Sequence, residues 1–164
     1  MNPDVKLRPY RVADLPAIAR LFHDTVHQVN LGDYTPAQVE AWAPSDPDLD
    51  RWRQKLAGEE AVVAELAGEV VGFCSWDAEG CLDFLYVHHA HQRKGIAAML
   101  YGAAESALRT RALARVHAQV SLTAQPFFER QGFTVVKRQV VNVRGVDLPN
   151  AVMEKPLDVR EQWG

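Results

Sequence analysis

The stretch His91–Leu100, HQRKGIAAML, decides how the chain around it is interpreted. Two cations and a glycine stand directly before a segment with a helical pattern of apolar residues. The first backbone N–H groups of a helix lack internal acceptors, and the helix dipole adds partial positive charge there. A phosphate is the natural occupant of such a place. Gly95 would let the main chain approach it, and Arg93 and Lys94 would add charge.

Two well-known phosphate-binding motifs do not fit this loop. No Gly-Lys-Ser/Thr follows a spaced glycine, and the pattern G-x-G-x-x-G is absent. On these residues alone, a solvated helix start explains the segment about equally well. A nucleotide-binding phosphate loop remains open as a weaker alternative.

The segments on both sides of the loop predict an α/β domain. Strand 81–87, helix 95–110 and strand 115–122 form a crossover, which implies a parallel pair of strands. Elsewhere, alternation predicts strands and apolar spacing predicts helices, with Asp14 as a helix cap. We expect a mixed, mostly antiparallel sheet of six to seven strands with helices on both faces. The other predicted strands are 5–10, 61–66, 70–76, 134–143 and 150–157, and the other helices lie within 13–29, at 36–42, at 47–57 and within 124–133.

Composition limits the classes of partner. The 164 residues suit one domain, spanning 1–164, and the net charge of -3 argues against general nucleic-acid binding. Two cysteines favour a reducing, cytoplasmic setting. Neither a signal peptide nor an apolar run of membrane-spanning length is present, so we expect no membrane partner.

The motifs together resemble the GNAT superfamily of acyl-coenzyme A dependent N-acyltransferases. The family loop, Q/R-x-x-G-x-G/A, is matched position for position by Gln92–Ala97, QRKGIA. The preceding LDFLYV (82–87) resembles the fourth strand of the family, and SLTAQPFFERQGF (121–133) resembles its second signature. The resemblance covers nearly the whole chain, and its specific part is residues 81–133.

The resemblance implies acetyl-CoA as acyl donor. Its pyrophosphate would lie on the backbone N–H groups of 92–97, and its pantetheine arm would add to the strand that ends at Leu85-Tyr86-Val87. Strands 81–87 and 115–122 would splay apart to admit it, and the backbone N–H of Val87 would stabilise the oxyanion. The implied cofactor-binding residues are Leu85, Tyr86, Val87, Gln92, Arg93, Lys94, Gly95, Ile96, Ala97, Ser121, Ala124 and Phe128.

Acetyl transfer to an amine needs a proton acceptor. A lysine-like amine is mostly charged at neutral pH, a handicap of about 4 kcal/mol that a general base removes. By strand alternation, Asp83 shares a face with Cys81, Leu85 and Val87. We predict that Asp83 is the base, acting through water. The alternative is a carboxylate paired with a cation in the sheet.

The position where the family commonly has a tyrosine as general acid is Phe128, which has no proton to give. Either the thiolate leaves unaided, or Tyr86, Tyr34 or a water supplies the proton. The third possibility is that the protein binds the cofactor without turnover.

Five histidines have simpler explanations than catalysis. His88, His89 and His91 precede the loop, and a solvated or phosphate-adjacent role is favoured over metal binding, so no metal site is predicted. His23 and His27 share one helix face, either lining a substrate pocket, with His27 as an alternative base, or lying at the surface.

The tryptophans and cysteines favour packing roles. Trp42 and Trp52 are expected in the core, in the region that would cover the acceptor site. Cys74 and Cys81 are expected to be buried thiols, close to each other across a hairpin.

The sequence therefore predicts an N-acetyltransferase that acts by direct attack of a small-molecule or protein amine on acetyl-CoA. A non-catalytic acyl-CoA-binding or sensing domain is the alternative, motivated by Phe128. The edge of the C-terminal hairpin also allows a homodimer.

Overall fold

A computed structural model describes residues 4–157 of the chain. Its strands are β1 Lys6–Pro9, β2 Glu60–Leu66, β3 Glu69–Trp76, β4 Cys81–Val87, β5 Arg115–Ser121, β6 Thr134–Val143 and β7 Val146–Pro156. Its helices are α1 Leu15–Val29, α2 Pro36–Trp42, α3 Leu49–Ala57, α4 Ile96–Thr110 and α5 Gln125–Arg130. Short 3-10 turns cover Val12–Asp14, Asn30–Gly32 and His89–His91.

The strands form one seven-stranded sheet in the order β1-β2-β3-β4-β5-β7-β6. Every neighbouring pair is antiparallel except β4 and β5, which α4 connects as a parallel crossover. The predicted mixed α/β fold, with its parallel pair inside a mostly antiparallel sheet, is confirmed.

Apolar layers cover both faces of the sheet. On one face, α4 and α5 bury Leu100, Leu108 and Phe128 against β-strand residues such as Val116 and Met153. On the other face, the core is formed by α1, α2 and α3 together with strand residues, and its largest fully buried side chains include Ile18, Val26, Val39, Leu56 and Phe73. Both layers include side chains of β3 and β4, and β4 borders the cleft described below.

Asp14 does not cap α1, contrary to the prediction. Its carboxylate receives the Arg8 guanidinium, at 2.7 Å to Oδ1 and 2.9 Å to Oδ2, and the backbone N–H of Arg11 at 2.8 Å. The hydrogen bonds from Arg8 lower the pKa of Asp14. Asp14 therefore ties the end of β1 to the start of the helical layer, while the first turn of α1 takes Pro16 instead.

Two predicted boundaries differ from the structure by two residues or more, each because of local chemistry. Helix α3 begins at Leu49 rather than 47, since the Asp48 carboxylate accepts from the N–H of Arg51 at 3.2 Å and caps it. Strand β7 begins at Val146 rather than 150, because Arg144 and Gly145 both have positive φ and close a two-residue hairpin.

The two cysteines do not lie across from each other, so this part of the prediction is wrong. Cys74 stands opposite Leu85 in the β3–β4 ladder, and both thiols are free. Cys74 is fully buried as predicted, whereas Cys81 is half-buried. Burial raises the pKa of Cys81 to about 11, so its thiol is protonated at neutral pH.

None of the described helices is long and apolar enough to cross a lipid bilayer. The longest, α1 and α4, have 15 residues each and carry polar side chains on their outer faces.

The packing of α4 can be tested by truncating Leu100. This side chain is fully buried between α4 and the sheet, where a Cβ on Gly72 would already lie 3.0 Å from its Cδ1. We expect Leu100→Ala to lower the free energy of unfolding by about 2–5 kcal/mol in urea titrations. The control is Val140→Ala, at a side chain that is 63% exposed, where we expect a change within about 0.5 kcal/mol. Equal effects of the two substitutions would contradict this description of the core.

Candidate active site

The parallel pairing of β4 with β5 covers only the first two residues of β4. Its two bridges are Cys81↔His117 and Leu82↔Ala118, and beyond them the strands separate. The separation opens a cleft of about 720 Å³, lined by Leu82–Val87, by the loop before α4, by the end of β5 and by α5. This volume lies within the range typical of small-molecule sites.

The backbone of β4 is open toward this cleft. His88 donates its N–H to the Val71 carbonyl at 2.8 Å, which fixes the phase of the antiparallel β3–β4 ladder. In such a ladder, alternate residues point their N–H and C=O groups to opposite sides of the strand. Leu85 and Val87 therefore direct these groups away from β3, toward the position that β5 has vacated.

The backbone carbonyl of Val87, one of the groups directed away from β3, is bound by two side chains. The Val87 carbonyl accepts from Gln92 Nε2 at 2.6 Å and from Thr25 Oγ1 at 3.3 Å. The predicted residue Gln92 thus fastens the loop to the end of β4, while Thr25, which the sequence did not single out, fastens α1 to the same atom. The mouth of the cleft is fixed by three separate elements.

The loop before α4 has the backbone shape of an anion site. Arg93 and Gly95 both adopt left-handed conformations, with φ of 62° and 79°. Successive residues of opposite handedness turn neighbouring N–H groups toward one point, forming a concave nest. The first intrahelical bond of α4 runs from Met99 to the Gly95 carbonyl, so the N–H groups of residues 96–98 have no intrahelical acceptor. A non-glycine residue in this conformation is strained and typical of functional loops.

The predicted loop residues are placed differently with respect to the cleft. Gln92, Arg93, Gly95, Ile96 and Ala97 line it. The Ile96 side chain is buried in the core, so its backbone is the part that remains available. Lys94 lies at the exposed rim outside the lining, with its Nζ 3.3 Å from His91 Nδ1.

The opposite wall of the cleft comes from β5 and α5. Ser121, Ala124 and Phe128 all line it, as the sequence predicted. Ser121 Oγ accepts from the N–H of Ala124 at 3.2 Å and so caps the turn into α5. The Phe128 ring is buried and packs edge-on against Phe127 and Phe133, at 5.6 and 5.0 Å between centroids. This wall offers shape and apolar surface rather than protons.

Asp83 does not share a face with Leu85 and Val87, so the alternation argument is wrong at this position. A bulge between Ser75 and Trp76 pairs Ser75 with Phe84 and Trp76 with Leu82, leaving Asp83 without a cross-strand partner. Asp83 instead faces α3, where its Oδ2 lies 3.5 Å from Lys55 Nζ. It still lines the cleft. Asp83 therefore combines the two predicted features: it lines the cleft, as a base would, and it is paired with a cation, as in the alternative explanation.

Glu59 is a candidate that the sequence did not reveal. It lies between α3 and β2, and its carboxyl faces Asp83 and Ser75. Burial and the neighbouring Asp83 raise the pKa of Glu59 from 4.5 to about 7. In the sequence, Gly58-Glu59-Glu60 is indistinguishable from a solvated turn, so no local signal marked it.

The face of β4 opposite α4 carries an aromatic cluster under α1 and α3. Phe22 contacts Trp52 and Tyr86 edge-on, with centroid distances of 5.1 and 4.9 Å, and Trp52 lies 4.9 Å from Phe84. Burial raises the pKa of Tyr86, which keeps its hydroxyl protonated. The predicted packing role of Trp52, and likewise of Trp42 against Tyr34, is confirmed.

Of the five histidines considered above, His91 lines the cleft and the other four lie outside its lining. His23 and His27 stack at 4.1 Å on one face of α1, and His27 Nε2 is hydrogen-bonded to the Ala43 carbonyl at 2.7 Å. His88 and His89 stack at 4.2 Å beside the loop. Within residues 4–157, no group of three His, Cys, Asp or Glu side chains has the arrangement of a metal site.

Comparison of the chain with known protein families gives a match that covers most of its length. Residues 30–155 match the acetyltransferase (GNAT) domain family. The chain belongs to the GNAT acetyltransferase family. The resemblance seen in the loop and in β4 is thereby confirmed. The separation of β4 from β5 in this GNAT chain is the splaying that the resemblance implied.

Two relatives support this assignment, and a further solved structure shares the fold. The GNAT chain is 34% identical over 150 residues to the uncharacterized N-acetyltransferase YafP of Escherichia coli K12, covering 92% of this chain and 95% of that protein. It is 30% identical, with a TM-score of 0.92, to a GCN5-related N-acetyltransferase from Rhodopseudomonas palustris, covering 96% and 98% of the two chains. The PaiA N-acetyltransferase of Thermoplasma acidophilum, solved with coenzyme A, shares the fold at a TM-score of 0.76 and 17% identity, covering 96% and 100%.

The packing of the chain beside the end of β5 can be tested at Tyr34. Its buried hydroxyl donates to the Pro149 carbonyl at 2.5 Å and accepts from the N–H of Leu122 at 3.0 Å. We expect Tyr34→Phe to cost about 1–3 kcal/mol of unfolding free energy, because both backbone groups lose their partner. The control is Tyr10→Phe, since the Tyr10 hydroxyl has no hydrogen-bond partner among residues 4–157, and we expect it to be nearly neutral. Equal losses in chemical denaturation would contradict the bridging role of Tyr34.

Proposed function

We propose that this GNAT chain transfers the acetyl group of acetyl-CoA to the amine of a small molecule or protein by direct attack. The observation that carries the proposal is the free edge of β4, which runs straight into a loop of left-handed residues at the start of α4. An extended, amide-containing arm that ends in a diphosphate is complementary to an open strand edge followed by a nest of N–H groups.

The residues present fit such a donor. Backbone groups of Leu85 and Val87 would pair with the amides of its arm, whereas those of Tyr86 between them point toward β3. The N–H groups of Gln92, Arg93, Gly95, Ile96 and Ala97 would hold its phosphates. The charges of Arg93 and Lys94 would lie at the same end. When bound, acetyl-CoA supplies a thioester carbonyl that is activated toward amines. The Val87 N–H is the proposed oxyanion donor.

The opposite wall would position the reacting end of the donor. Ser121, Ala124 and Phe128 would close the cleft around the arm, and Phe128 cannot protonate a leaving group. The Tyr34 hydroxyl proton is engaged with Pro149, and Tyr86 belongs to the aromatic cluster on the other face of β4. A thiol pKa near 8.5 makes the thiolate an adequate leaving group, so we propose that it departs without a protein acid.

Asp83 is the proposed proton acceptor. It lines the cleft two residues before Leu85, and its negative charge would also favour an approaching ammonium group. Because Asp83 adjoins the aromatic cluster, an amine that binds there would contact apolar side chains and a single carboxylate. The acceptor is therefore an amine, and the small-molecule and protein classes both remain open. Pairing of two copies along the outer edge of β6, where Val136 and Val140 are exposed, also stays a prediction.

Coenzyme A binding tests the loop. We expect saturable binding of coenzyme A to the wild-type protein in calorimetry. Gly95→Ala should weaken it about tenfold or more, because a side chain disfavours the φ of 79° and crowds the anion. Gly102→Ala is the matched control, since a Cβ there meets nothing within 4 Å, and its affinity should match the wild type. No saturable heat with the wild type would rule out the proposal.

Thiol release over a panel of primary amines separates an enzyme from a sensor. We expect at least one amine to release free thiol from acetyl-CoA. Asp83→Asn should lower that rate about 10²-fold while coenzyme A affinity changes less than about twofold. Tight coenzyme A binding without release by any amine would favour the sensing alternative. Unchanged turnover in Asp83→Asn at neutral pH would remove the assignment of the base.

A further inference from the structure

Three buried polar atoms meet beside the cleft, on the face of the sheet covered by α3. They are Glu59 Oε1, Ser75 Oγ and Asp83 Oδ2, and within residues 4–157 none has a hydrogen-bond partner of regular geometry. The Glu59 carboxyl neighbours both of the other side chains. Ser75 is fully buried. Because buried polar atoms nearly always have partners, three such atoms at one place call for a common explanation.

A proton held between the two carboxyl groups supplies that explanation. Two facing carboxylates repel each other, and Lys55, whose Nζ is 3.5 Å from Asp83 Oδ2, can balance one of the two charges. Burial and the adjacent Asp83 raise the pKa of Glu59 to about 7. A proton on Glu59 would leave one negative charge opposite one positive charge.

Apart from Lys55, the titratable groups around the pair are uncharged. Cys74 lies on β3 close enough to feel the charge of Glu59, and Cys81 and Tyr86 lie near the pair on β4. Burial raises the pKa of all three above its ordinary value, so each keeps its proton at neutral pH. Lys55 on α3 is the cation that faces the pair. The charge of the cluster is thus set by the proton between Glu59 and Asp83.

We propose that Glu59 and Asp83 hold a single proton between them and act together as the proton-accepting group of the cleft. Asp83 is the member that lines the cleft, and Glu59 is a positioning residue that acts through it. This inference rests on the proposed function. It differs from a lone Asp83 base because the proton-binding unit includes a residue outside the cleft, at the junction of α3 and β2.

The proton balance of the transfer can be written with this pair. The acceptor ammonium passes one proton to Asp83, directly or through a water, and the pair later releases it to solvent. The nitrogen lone pair then forms the C–N bond while the C–S bond breaks and its electrons go to sulfur. The second proton leaves nitrogen and ends on the sulfur as a thiol. A group that titrates near neutral pH suits this cycle, because it can both take up and release the proton.

Infrared difference spectroscopy tests the shared proton without any substrate. We expect the wild type to lose the C=O stretch of one protonated carboxyl group with a midpoint at about pH 7. Glu59→Gln should lack this transition, and Asp83→Asn should move it down by about one pH unit or more, because the neighbouring charge is gone. Glu79→Gln, at an exposed turn residue, is the control and should match the wild type. A wild-type transition that is unaffected by Glu59→Gln would overturn the proposal.

Thermal unfolding against pH gives a second test with a defined sign. The folded protein binds the Glu59 proton more tightly than the unfolded chain does, since its pKa rises from 4.5 to about 7. This stabilisation is present below the lower value and is lost as the pH rises through the upper one. The Tm of Glu59→Gln relative to the wild type should therefore increase between about pH 5 and pH 8. A constant difference over this range would contradict the shared proton.

The catalytic part is tested with an amine from the panel that the wild type acetylates. One pH unit below the midpoint, the ionised fraction of the pair is about one tenth, so wild-type kcat/KM should show an inflection there. Glu59→Gln should lose that inflection and change less than about twofold over the same interval, while Glu79→Gln should retain it. Retention of the inflection in Glu59→Gln would overturn the role of Glu59. If the wild type acetylates no amine, the catalytic part fails together with the proposed function, and the infrared result still decides whether the proton is shared.

Discussion

The early end of the β4–β5 pairing is the constraint on which the rest of the structure depends. After Leu82↔Ala118 the middle of a seven-stranded sheet has an exposed strand edge, although buried backbone groups are normally paired. The walls on either side are complete, because β4 is held by β3 and β5 by β7 along their lengths. The opening is therefore a feature between two well-paired halves of the sheet, and its dimensions are set by rigid elements.

Side chains replace the strand bonds at both ends of the opening. Gln92 and Thr25 satisfy the Val87 carbonyl on one wall, and the Tyr34 hydroxyl bridges Leu122 and Pro149 beside the other. The groups in between, around Leu85, have neither kind of partner from β5. This division keeps the mouth fixed while leaving the central backbone groups available to a bound molecule, which is the requirement for preorganised recognition.

The parts of the site that could be predicted from the sequence are the local ones. The loop at residues 91–100 carries its own glycine, cations and helix start, and together with the motifs in the adjacent strands these local features were enough to predict a phosphate-binding loop. The direction of Asp83 could not be predicted, because the bulge that turns it depends on the register of β3 at Ser75. Glu59 was hidden for a related reason, since its raised pKa comes from burial in the fold and from Asp83, which lies more than twenty residues away in the sequence.

The sheet separates the two apolar layers, so substitutions in one have few direct contacts with the other. Side chains under α4 and α5 pack around the cleft loop, whereas the aromatic residues under α1 and α3 pack on the opposite face. Effects of changes at distant sites that share no partners are close to additive. Substitutions in the aromatic layer should thus have little energetic coupling to the loop. Related proteins would then be able to change the residues on one face of the sheet during evolution while those on the other face stay the same.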